Sequence, residues 1–422
     1  MPTASTKIAS RTTPKTAFKA PKATSSPWEA LNPLLANFRR RMRQYDDAAE
    51  FPAANFEELR KAGLLTLSIP KEFGGHGFWQ RDRFVEYYRI LEELAKADPC
   101  TGQLLQIHTH ASGIVAWHAT PDQRAIFLPE FVEQGKLVCS AGSEADPKST
   151  APAAGRAELA RAPGGYRLSC FKHFASLAAA ADYYLIWTLA PGTAPPSQRQ
   201  LFVLVPRDGE GVELVNEWDT LGMRSTVSWG IRITDHFVPE ERVIGEPGGW
   251  LQDPRTFTLA YVANHLGSAK GAFEVALDFV RARTYLSQGE TVKVAIGDLA
   301  SRLYAAESAF YAAAEQWEVA AVANWQRSEH DRAEMMSLQA LHIAKRCSLD
   351  VSERVFDICG ARATFKTMPL EQFYRDIRTF TLHFRDDLYM ARVAEGLLDR
   401  QTFEAKGKYK RIDKFAVTIA GA

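Results

Sequence analysis

The spacing of hydrophobic residues divides the chain into three parts. Between residues 27 and 137, apolar side chains recur at the period of an amphipathic helix, as in FEELRKAGLL and FVEYYRILEELAKA. From residue 138 to residue 252 the apolar runs are short or alternating and are separated by Gly, Pro and charged turns, which predicts β-strands. The helical period returns between residues 253 and 402 in long, Ala-rich segments.

The order of these parts predicts the architecture. Strands that follow one another without intervening helices favour an antiparallel sheet or barrel over a doubly wound parallel sheet. Ala-rich helices with apolar faces on more than one side favour a helix bundle that is buried partly against other subunits. The expected order is therefore a helical domain, a β domain and a helix bundle.

Both ends of the chain differ from the rest. Residues 1–26 carry lysine and arginine but no acid, and they are rich in Ser, Thr, Ala and Pro. Because such a segment cannot bury enough apolar surface to fold, we predict a disordered basic tail. A targeting peptide, which is also basic and rich in serine, is the alternative. A second tail is expected over residues 403–422.

The composition narrows the class of protein. Because 51 lysines and arginines stand against 50 acids, the chain has no charge that would select nucleic acid or an anionic membrane. The five cysteines are odd in number and lack CxxC spacing, which argues against a disulfide framework or a zinc site and favours a reducing cytoplasm. No apolar run approaches the roughly 20 residues that cross a bilayer. The expected partners are neutral small molecules or copies of the chain.

Several common cofactor motifs are missing. No GxGxxG follows a predicted strand and no GxxxxGK[ST] occurs, which excludes a Rossmann dinucleotide site and a P-loop. His108 and His110 are two residues apart, so on a helix they point about 200° apart and grip one metal ion poorly. No GxSxG elbow supports a serine hydrolase. We therefore expect no metal site.

Five stretches resemble, in the same order, the acyl-CoA dehydrogenase superfamily over nearly the whole folded chain. They are GLLTLSIPKEFGG (residues 63–75), SAGSEADPKS (140–149), FKHFASLAAAADYYLIW (171–187), LGMRSTVSWGIRITDHFVPEERVIGEPGGW (221–250) and ICGARATFKTMPLEQFYRDIR (358–378). The resemblance implies an α+β fold with an N-terminal helical domain, a central antiparallel β-barrel domain and a C-terminal four-helix bundle. It also implies a homotetramer in which a flavin ring lies between the β domain and the C-terminal helices.

The resemblance also gives roles to individual residues. Ser176 stands where the superfamily places a hydroxyl beside flavin N5, and Arg283 where it binds the flavin phosphate. A hydroxyl can donate to or accept from N5, and a permanently charged guanidinium suits a phosphate. Without the resemblance, the favoured interpretation of Ser176 is a strand serine that caps a turn, and that of Arg283 is a solvated helix residue. Further cofactor contacts are expected at Ser143 (through its backbone), Phe174, Gly360 and Arg378.

The catalytic carboxylate of the dehydrogenases is missing. Where the superfamily has Tyr-Glu-Gly after its Arg-Asp-x-Arg helix, this chain has His383 and Phe384. At the superfamily's other site for that glutamate, the chain has Tyr261. Asp386 and Asp387 lie beyond Phe384, a shift of position that is normally fatal to proton abstraction.

A second branch of the superfamily matches better. The segment GARATFKTMPLEQFYRDIRTFTLHFRD and the strand KHFASL resemble the oxygenase components of two-component flavin-dependent monooxygenases, which include dibenzothiophene, p-hydroxyphenylacetate and indole-3-acetate oxygenases. Such an enzyme takes reduced FAD or FMN (FADH2 or FMNH2) from a separate NAD(P)H:flavin reductase. It forms a flavin C4a-peroxide with O2 and oxygenates a small aromatic or heteroaromatic molecule, whether indolic, phenolic or organosulfur. The resemblance implies that the catalytic residues are Ser176 and His383.

The surroundings of His383 suit this chemistry. Phe174, Phe380, Leu382 and Phe384 offer an apolar enclosure that excludes the water needed to eliminate hydrogen peroxide. An imidazole there can bond the peroxide or accept a substrate proton near neutral pH. The alternative is a helix-end histidine bonded to a backbone carbonyl.

The expected substrate pocket combines polar and aromatic residues. Dibenzothiophene monooxygenase has a histidine after the glycine of the segment before the first β-strand, where this chain has Gln103. Because glutamine can donate and accept a hydrogen bond but cannot carry a proton, we expect a substrate other than that sulfur heterocycle. The expected lining, in which each residue is equally suited to the core, is Gln103, His108, Trp229, Tyr261, His265 and Phe380.

Two rival functions stay open at this point. One is an acyl-CoA dehydrogenase or a nitroalkane-oxidase-like flavoenzyme that uses Asp386 or Asp387 as its base. Such an enzyme holds oxidised flavin tightly, and its substrate bleaches the flavin without a reductase. The other is a non-catalytic scaffold of the same fold, which has no affinity for flavin.

Overall fold

The computed structural model describes residues 26–79, 83–144, 153–154, 156–249 and 258–398. The two predicted tails lie outside these ranges, apart from Ser26. Among the described residues, no helix is long and apolar enough to cross a membrane.

The N-terminal region is helical, as the apolar period predicts. Its helices are α1 (Pro27–Leu31), α2 (Leu35–Ala48), α3 (Ala53–Lys61), α4 (Phe84–Ala97), α5 (Pro99–His118) and α6 (Pro121–Val132). Capping boxes at Ser26 and Thr120 begin α1 and α6. In each, the hydroxyl accepts from the third helical N–H, and the backbone N–H of the capping residue donates to the side chain of that third residue. Helix α5 is buried along almost its whole length, polar residues included, so it forms the centre of this region.

The central region forms two sheets. Its strands are β1 (Val138–Ala141), β2 (Ser143–Glu144), β3 (Ala153–Ala154), β4 (Ala160–Ala162), β5 (Gly165–Lys172), β6 (Tyr183–Leu189), β7 (Gln200–Pro206), β8 (Val212–Val215), β9 (Gly230–Pro239) and β10 (Val243–Ile244), with a short helix, α7 (Pro196–Arg199), before β7. One sheet has the order β1–β6–β7–β10. The other has the order β3–β2–β5–β9–β8, with β4 paired to β5.

One pairing differs from the predicted antiparallel arrangement. Strands β1 and β6 are parallel, from Val138 opposite Tyr183 to Ala141 opposite Ile186, whereas the other described strand pairs are antiparallel. Parallel neighbours need a long crossover connection. The chain supplies one by passing through β2, β4 and β5 of the second sheet before it returns as β6. The antiparallel prediction was wrong for this pair because strand alternation carries no information about such a crossover.

The C-terminal region is a bundle of long helices. Its elements are α8 (Thr258–Arg281), α9 (Thr284–Ser287), α10 (Glu290–Val322), α11 (Arg327–Cys359), α12 (Leu370–Phe380) and α13 (Asp386–Leu398). Helix α8 packs against α10, α11 and α12, and on another side against α4. A Cβ on Gly267 of α8 would lie 2.2 Å from the Glu92 carbonyl oxygen, so glycine is needed for this close approach. The bundle and the N-terminal helices therefore share one core.

The segment between β8 and β9 connects the sheets to α12. A Cβ on Gly222 would lie 2.2 Å from the Arg375 backbone, so a larger residue cannot approach as closely. The Met223 N–H donates to the Asp376 carboxylate. Arg375 in turn forms a two-bond pair with Asp46 on α2. The segment is thus fixed against both α2 and α12.

Candidate active site

An aromatic cluster surrounds Tyr261 on α8. The Tyr261 ring stacks on His383, with centroids 4.7 Å apart and 26° between planes, and on Phe380, at 5.7 Å and 22°. Phe384 meets it edge-on at 4.4 Å. Burial raises the pKa of the Tyr261 hydroxyl, so this group stays protonated. The fold thus brings together three residues that the sequence assigned to the site.

His383 lies in the turn that follows α12. Its backbone N–H donates to the Phe380 carbonyl at 3.1 Å, and one face of its imidazole is covered by Tyr261. The residue is otherwise exposed in the single chain. Leu382 is 68 % exposed, so the expected apolar enclosure is present on the side of Phe380 and Phe384, both buried, but not on the side of Leu382.

A second histidine lies behind this cluster. His265 is one turn after Tyr261 on α8 and is buried, with its ring centroid 4.7 Å from that of Phe380. Burial, together with the charges of Lys345 and His383, lowers the pKa of His265 to about 3. This histidine is therefore neutral at physiological pH and adds no charge to the site.

The acids that follow this turn are already paired with cations. Lys345 on α11 donates to the Phe384 carbonyl at 3.0 Å and lies 2.8 Å from the Asp386 carboxylate. Asp387 pairs with Arg385, and this hydrogen bond lowers the pKa of Asp387. Asp386 is held by Lys345, and Asp387, with its lowered pKa, is a weak base, so this arrangement disfavours the dehydrogenase alternative that depends on these acids.

A chain of hydroxyl groups leads to Ser176, in the loop after β5. Ser176 Oγ lies 2.9 Å from Ser228 Oγ, which lies 2.7 Å from Thr226 Oγ1. Thr226 Oγ1 donates to the Met223 carbonyl at 2.7 Å. Ser176 is therefore connected through side chains to the segment that packs on α12.

The backbone around this chain of hydroxyls is strained. Phe174 and Leu177 in the loop after β5 and Val227 before β9 have φ values of 53°, 78° and 42°. This left-handed region costs residues other than glycine about 1–3 kcal/mol, and it is least favourable for β-branched side chains. The Leu177 N–H donates to the Thr226 carbonyl at 3.0 Å, which holds the two loops together. Strain that is fixed in this way is typical of binding sites.

Aromatic side chains lie in the same loops. Phe174 is 67 % exposed and meets Trp218 edge-on, with centroids 6.1 Å apart. Trp229, just before β9, is half-buried. Exposed aromatic surface of this kind marks a ligand-binding or interaction site. In the single chain Phe174 faces solvent and does not close the enclosure around His383.

Ser143 in β2 lies next to the loop after β5. Its carbonyl accepts from the His173 N–H at 2.9 Å. Glu144 pairs with the buried Lys172 ammonium, which also donates to the Trp187 carbonyl at 2.6 Å. Strand β2 is thus held firmly to β5, and the backbone of Ser143 lies at the edge from which the Ser176 loop departs.

A second group forms where α8 and α11 end. Arg283 stacks its guanidinium 3.5 Å from the centroid of the Phe279 ring and donates to the Phe279 carbonyl at 2.7 Å. Burial raises the pKa of Cys359 to about 11, and the nearby charge of Arg283 opposes this rise. Gly360 follows with φ 69° and ψ −165°, a conformation that only glycine adopts readily. A Cβ at Gly360 would meet nothing within 4 Å, so there is open space beside Gly360, at the end of the bundle that carries Arg283.

Two of the expected site residues lie apart from these groups. Arg378 is exposed on α12, with Nη1 3.4 Å from Thr381 Oγ1. His108 is buried in α5, where its Nδ1 accepts from the Val138 N–H at 3.1 Å and burial lowers its pKa to about 4. His108 is therefore a neutral residue that holds β1 against α5, and the structure does not bring it to the cluster around Tyr261.

Sequence reasoning missed Gln106, Lys345 and Ser228. Gln106 on α5 is 1 % exposed and faces the Tyr261 hydroxyl. Gln103, one turn earlier, is also buried, and its Oε1 has no hydrogen-bond partner among the described residues. Residues three apart share a helix face. The spacing of these two glutamines in an apolar helix is the sequence feature that would have predicted a polar site there.

The loops around Ser176 and the region around Arg283 and Gly360 together suit a flavin. A flavin ring needs aromatic surface and hydrogen-bonding groups at its edge, which Phe174, Trp218 and Ser176 supply. A flavin phosphate needs a fixed positive charge with space beside it, which Arg283 and Gly360 supply. The residues present therefore fit the cofactor that the resemblance implies.

Comparison with protein families agrees with this assignment. The family model for the acyl-CoA dehydrogenase N-terminal domain matches residues 34–135, and the model for the C-terminal domain matches residues 259–387. Together the two matches take in more than half of the chain. The chain belongs to the acyl-CoA dehydrogenase superfamily.

Within the superfamily, the chain is similar to flavin-dependent monooxygenases. It is 28 % identical over 408 residues to dibenzothiophene monooxygenase of Mycolicibacterium goodii, covering 89 % of this chain and 94 % of that one. A probable FMNH2-dependent monooxygenase, SfnC, of Pseudomonas putida is 25 % identical over 87 % of this chain and 93 % of its own length. The crystal structure of TdsC from Paenibacillus sp. A11-2 with FMN and indole superposes with a TM-score of 0.78 at 25 % identity, covering 89 % of this chain and 97 % of that one. These similarities confirm the predicted branch of flavin-dependent monooxygenases.

Proposed function

We propose that the chain is the oxygenase component of a two-component monooxygenase, which uses reduced flavin and O2 to oxygenate a small aromatic or heteroaromatic molecule. The stacking of His383 on Tyr261 carries this proposal. Where a dehydrogenase needs a free carboxylate, the chain presents an imidazole against a phenol ring, and Asp386 and Asp387 are paired with cations. Neither of these two carboxylates is therefore free to abstract a carbon-bound proton.

The cofactor proposed is FMN. When bound in its reduced form, it supplies the two electrons with which one atom of O2 enters the substrate and the other leaves as water. We assign its ring to the loops that carry Phe174 and Ser176, next to the Ser143 backbone, and its phosphate to Arg283. FMN is favoured over FAD because TdsC was solved with FMN and the name of the Pseudomonas relative specifies FMNH2.

The direction of the hydroxyl chain determines what Ser176 can do. Thr226 gives its single hydroxyl proton to the Met223 carbonyl, so Ser228 donates to Thr226 and Ser176 donates to Ser228. Ser176 Oγ is then left as an acceptor. An acceptor suits the N5–H of reduced flavin and not the unprotonated N5 of oxidised flavin, which supports uptake of the cofactor in its reduced form.

His383 is the proposed proton-transfer group. Its imidazole stacks on Tyr261 and meets the Phe384 ring edge-on, and the residue as a whole is exposed in the single chain. Imidazole is the side chain that most readily exchanges protons near neutral pH. The buried rings of Phe380 and Phe384 keep water from its inner side, which limits the loss of activated oxygen as hydrogen peroxide.

We further propose that the chain works as a homotetramer. Phe174 and Leu382 are exposed, and so are Tyr285 on α9 and Val294 and Tyr304 on α10. Contacts between copies cover exposed apolar surface of this kind. In the assembly, such contacts complete the enclosure that the single chain leaves open beside His383.

The reduced flavin is proposed to come from a separate NAD(P)H:flavin reductase. The FMNH2 dependence in the name of the Pseudomonas relative supports this arrangement, since FMNH2 has to be produced before such an enzyme can use it. The cytoplasm is the compartment proposed for both proteins. The small aromatic substrate is supported by the indole in the TdsC structure.

An isotope experiment tests this proposal. Full-length protein is mixed with chemically reduced FMN, O2 labelled with the heavy oxygen isotope and a panel of small aromatic compounds. We expect one labelled oxygen atom in the product and less hydrogen peroxide than in the same mixture without protein. Recovery of all the oxygen as hydrogen peroxide, with every compound unchanged, would contradict the proposal. Anaerobic bleaching of bound oxidised FMN by a substrate would instead indicate a dehydrogenase.

A further inference from the structure

Gln106 is a buried amide with both ends open. Its side chain is 1 % exposed, and neither Oε1 nor Nε2 has a hydrogen-bond partner among the described residues. Buried amides are nearly always paired, because an unpaired one gives up the hydrogen bonds that it makes with water in the unfolded chain. A molecule with both a donor and an acceptor would complete the hydrogen bonds of this amide.

Another buried glutamine shows the contrast. Gln372 on α12 is fully buried and also has an Oε1 without a partner, but its Nε2 donates to the Met42 carbonyl at 3.3 Å and so joins α12 to α2. Gln106 makes no bond of this kind. Its amide lies near the Tyr261 hydroxyl of α8 without a hydrogen bond of normal geometry, so both of its ends remain available to a ligand.

Gln106 lies at the inner end of the aromatic cluster. Helix α5 packs against α8, and the Gln106 amide is close enough to the Tyr261 hydroxyl to oppose the rise in the pKa of that residue. The face of the same tyrosine ring carries His383. One tyrosine therefore joins the open amide to the imidazole that we assign to proton transfer.

Gln103 extends the polar surface by one helical turn. It is 2 % exposed, and its Oε1 has no partner among the described residues. Because it is three residues before Gln106, the two side chains lie on neighbouring parts of one helix face. Together they offer two carbonyl acceptors and the NH2 group of Gln106 as a donor.

The charges around the cluster are balanced. His265 is neutral at physiological pH because its pKa is lowered to about 3, chiefly by burial. The Lys345 ammonium is neutralised by Asp386 at 2.8 Å. A buried charge without a counter-ion is strongly disfavoured, and neither His265 nor Lys345 offers a free charge, so these two residues favour an uncharged ligand.

We propose that Gln106, assisted by Gln103, binds the polar edge of an uncharged aromatic substrate that carries an N–H or O–H donor next to an acceptor, of which a ring amide is the best match. Gln106 Nε2–H donates to the substrate carbonyl, and Gln106 Oε1 accepts from the substrate N–H. Gln103 Oε1 is a second acceptor for the same donor. This inference rests on the proposed function and deepens it by naming the substrate class.

A sulfur heterocycle is the expected poor ligand. It has no hydrogen-bond donor, and its ring sulfur is at most a weak acceptor. It would leave the open amide atoms of Gln103 and Gln106 unpaired after it had displaced water from them. Sites that hydrogen-bond a polar group of the substrate reject analogues that lack this group, because the polar atoms of the site are then buried without a hydrogen-bond partner.

Three bicyclic probes of similar shape separate these cases. Oxindole has an adjacent N–H and carbonyl, indole has an N–H only, and benzothiophene has neither. Calorimetric titration of the full-length protein at pH 7, in saturating FMN, should give a Kd for oxindole roughly 10- to 100-fold below that for benzothiophene, with indole between them. Equal Kd values for the three probes would overturn the inference.

Variants show whether Gln106 is the cause. Gln106→Met should weaken oxindole binding about 10- to 100-fold and change benzothiophene binding by less than about twofold. Gln372→Met, a matched replacement of a buried amide outside the cluster, should keep the wild-type order of affinities. Should Gln106→Met fail to fold, Gln106→Asn keeps the amide but withdraws it by one carbon, and it should lose about tenfold in oxindole affinity alone. An oxindole preference that survives in the variant that folds would refute the assignment.

The outcome is independent of oxygen chemistry, because binding needs neither O2 nor electrons. A preference for oxindole that Gln106→Met abolishes supports the inference even when no oxygenated product is found, and it is then the proposed function that fails. Oxygenation of an aromatic compound by a protein without this preference contradicts the inference alone.

Discussion

Ser176 Oγ lies 2.9 Å from Ser228 Oγ, and the direction of the hydrogen bond between them follows from the far end of the hydroxyl chain. Thr226 commits its proton to a backbone carbonyl, so each hydroxyl before it must donate along the chain. Removal of the middle hydroxyl therefore changes the proton that Ser176 can offer to a ligand without removing Ser176 itself.

Replacement of Ser228 should change the redox preference of the flavin site. Ser228→Ala frees the Ser176 proton, which can then be donated to the N5 atom of oxidised flavin. We expect the ratio of the Kd for oxidised FMN to the Kd for reduced FMN to fall about tenfold, which corresponds to about 30 mV in the two-electron potential of bound FMN. Anaerobic titrations with both forms, or the midpoint potential, measure this ratio. Ser176→Ala should weaken only reduced FMN, and an unchanged ratio in both variants would argue against the assigned direction.

Gly222 controls the contact between the β8–β9 segment and α12. In Gly222→Ala, the new Cβ would meet the Arg375 backbone at 2.2 Å, so the segment must move away from α12. We expect a loss of about 1–3 kcal/mol in the free energy of unfolding. Weaker FMN binding should accompany it, because Ser228 and Ser176 are positioned through this segment. Urea unfolding and FMN titration measure the two effects.

Gly297 in α10 provides the matched control. A Cβ there would meet nothing within 4 Å, and the residue lies in an exposed part of the helix. Gly297→Ala should therefore stabilise the protein by about 0.5–1 kcal/mol and leave FMN affinity unchanged. Equal stabilities of the two alanine variants would show that the close approach at Gly222 is not what fixes the segment.

The buried histidines predict a dependence of stability on pH. The pKa of His108 is lowered from 6.5 to about 4 in the folded chain, so the unfolded chain binds the extra proton first as pH falls. The contribution of His108 is fully present above pH 6.5 and is lost as the pH falls toward about 4. His108→Asn keeps an acceptor for the Val138 N–H and does not titrate. As the pH falls below 6, the unfolding free energy of His108→Asn should fall less steeply than that of the wild type. The two slopes should differ by about 1.4 kcal/mol per pH unit.

Urea midpoints at several pH values between 4.5 and 7 provide this measurement. His265, whose pKa is lowered to about 3, contributes in the same direction. The unfolding free energy of the wild type should therefore change with pH more steeply than the uptake of one proton alone would cause. Parallel curves for wild type and His108→Asn would mean that the His108 ring takes up its proton without unfolding.

The sequence predicted the elements better than their connections. The helical period in FVEYYRILEELAKA corresponds to α4, and the apolar run YYLIWTLA corresponds to β6. These patterns follow from which side of an element is buried, which the local sequence records. The parallel pairing of β1 with β6 depends on where a distant part of the chain returns, and no local pattern carries that information.

The candidate site shows the same limit. The sequence assigned His383, Tyr261 and Phe380 to one site without predicting their contacts, and the fold brings the three rings together. The motif did not show that Lys345 holds the following turn, because α11 meets that turn only in three dimensions. The exposure of Leu382 was likewise not predictable, since an apolar side chain on the surface looks the same in the sequence as one in the core.

Arg283 should discriminate between flavins with and without a phosphate. Arg283→Gln removes the charge while keeping hydrogen-bonding atoms, so FMN binding should weaken about 10- to 100-fold. Riboflavin, which has no phosphate, should bind both proteins equally. Arg281→Gln, on the same helix end and exposed, is the control for a general loss of positive charge. An equal loss of affinity for FMN and riboflavin would place the phosphate elsewhere.

The lifetime of the oxygen-reactive state tests the role of His383 most directly. Protein that holds reduced FMN is mixed with O2 in a stopped-flow instrument, and the flavin absorbance and the released hydrogen peroxide are followed. We predict that the wild-type protein passes through a transient whose absorbance differs from those of both reduced and oxidised FMN, and that His383→Ala shortens its lifetime about 10- to 100-fold with more hydrogen peroxide. Single-step reoxidation at the rate of free reduced FMN, identical in the two proteins, would contradict the assignment of this chain as a flavin-dependent oxygenase with His383 at its centre.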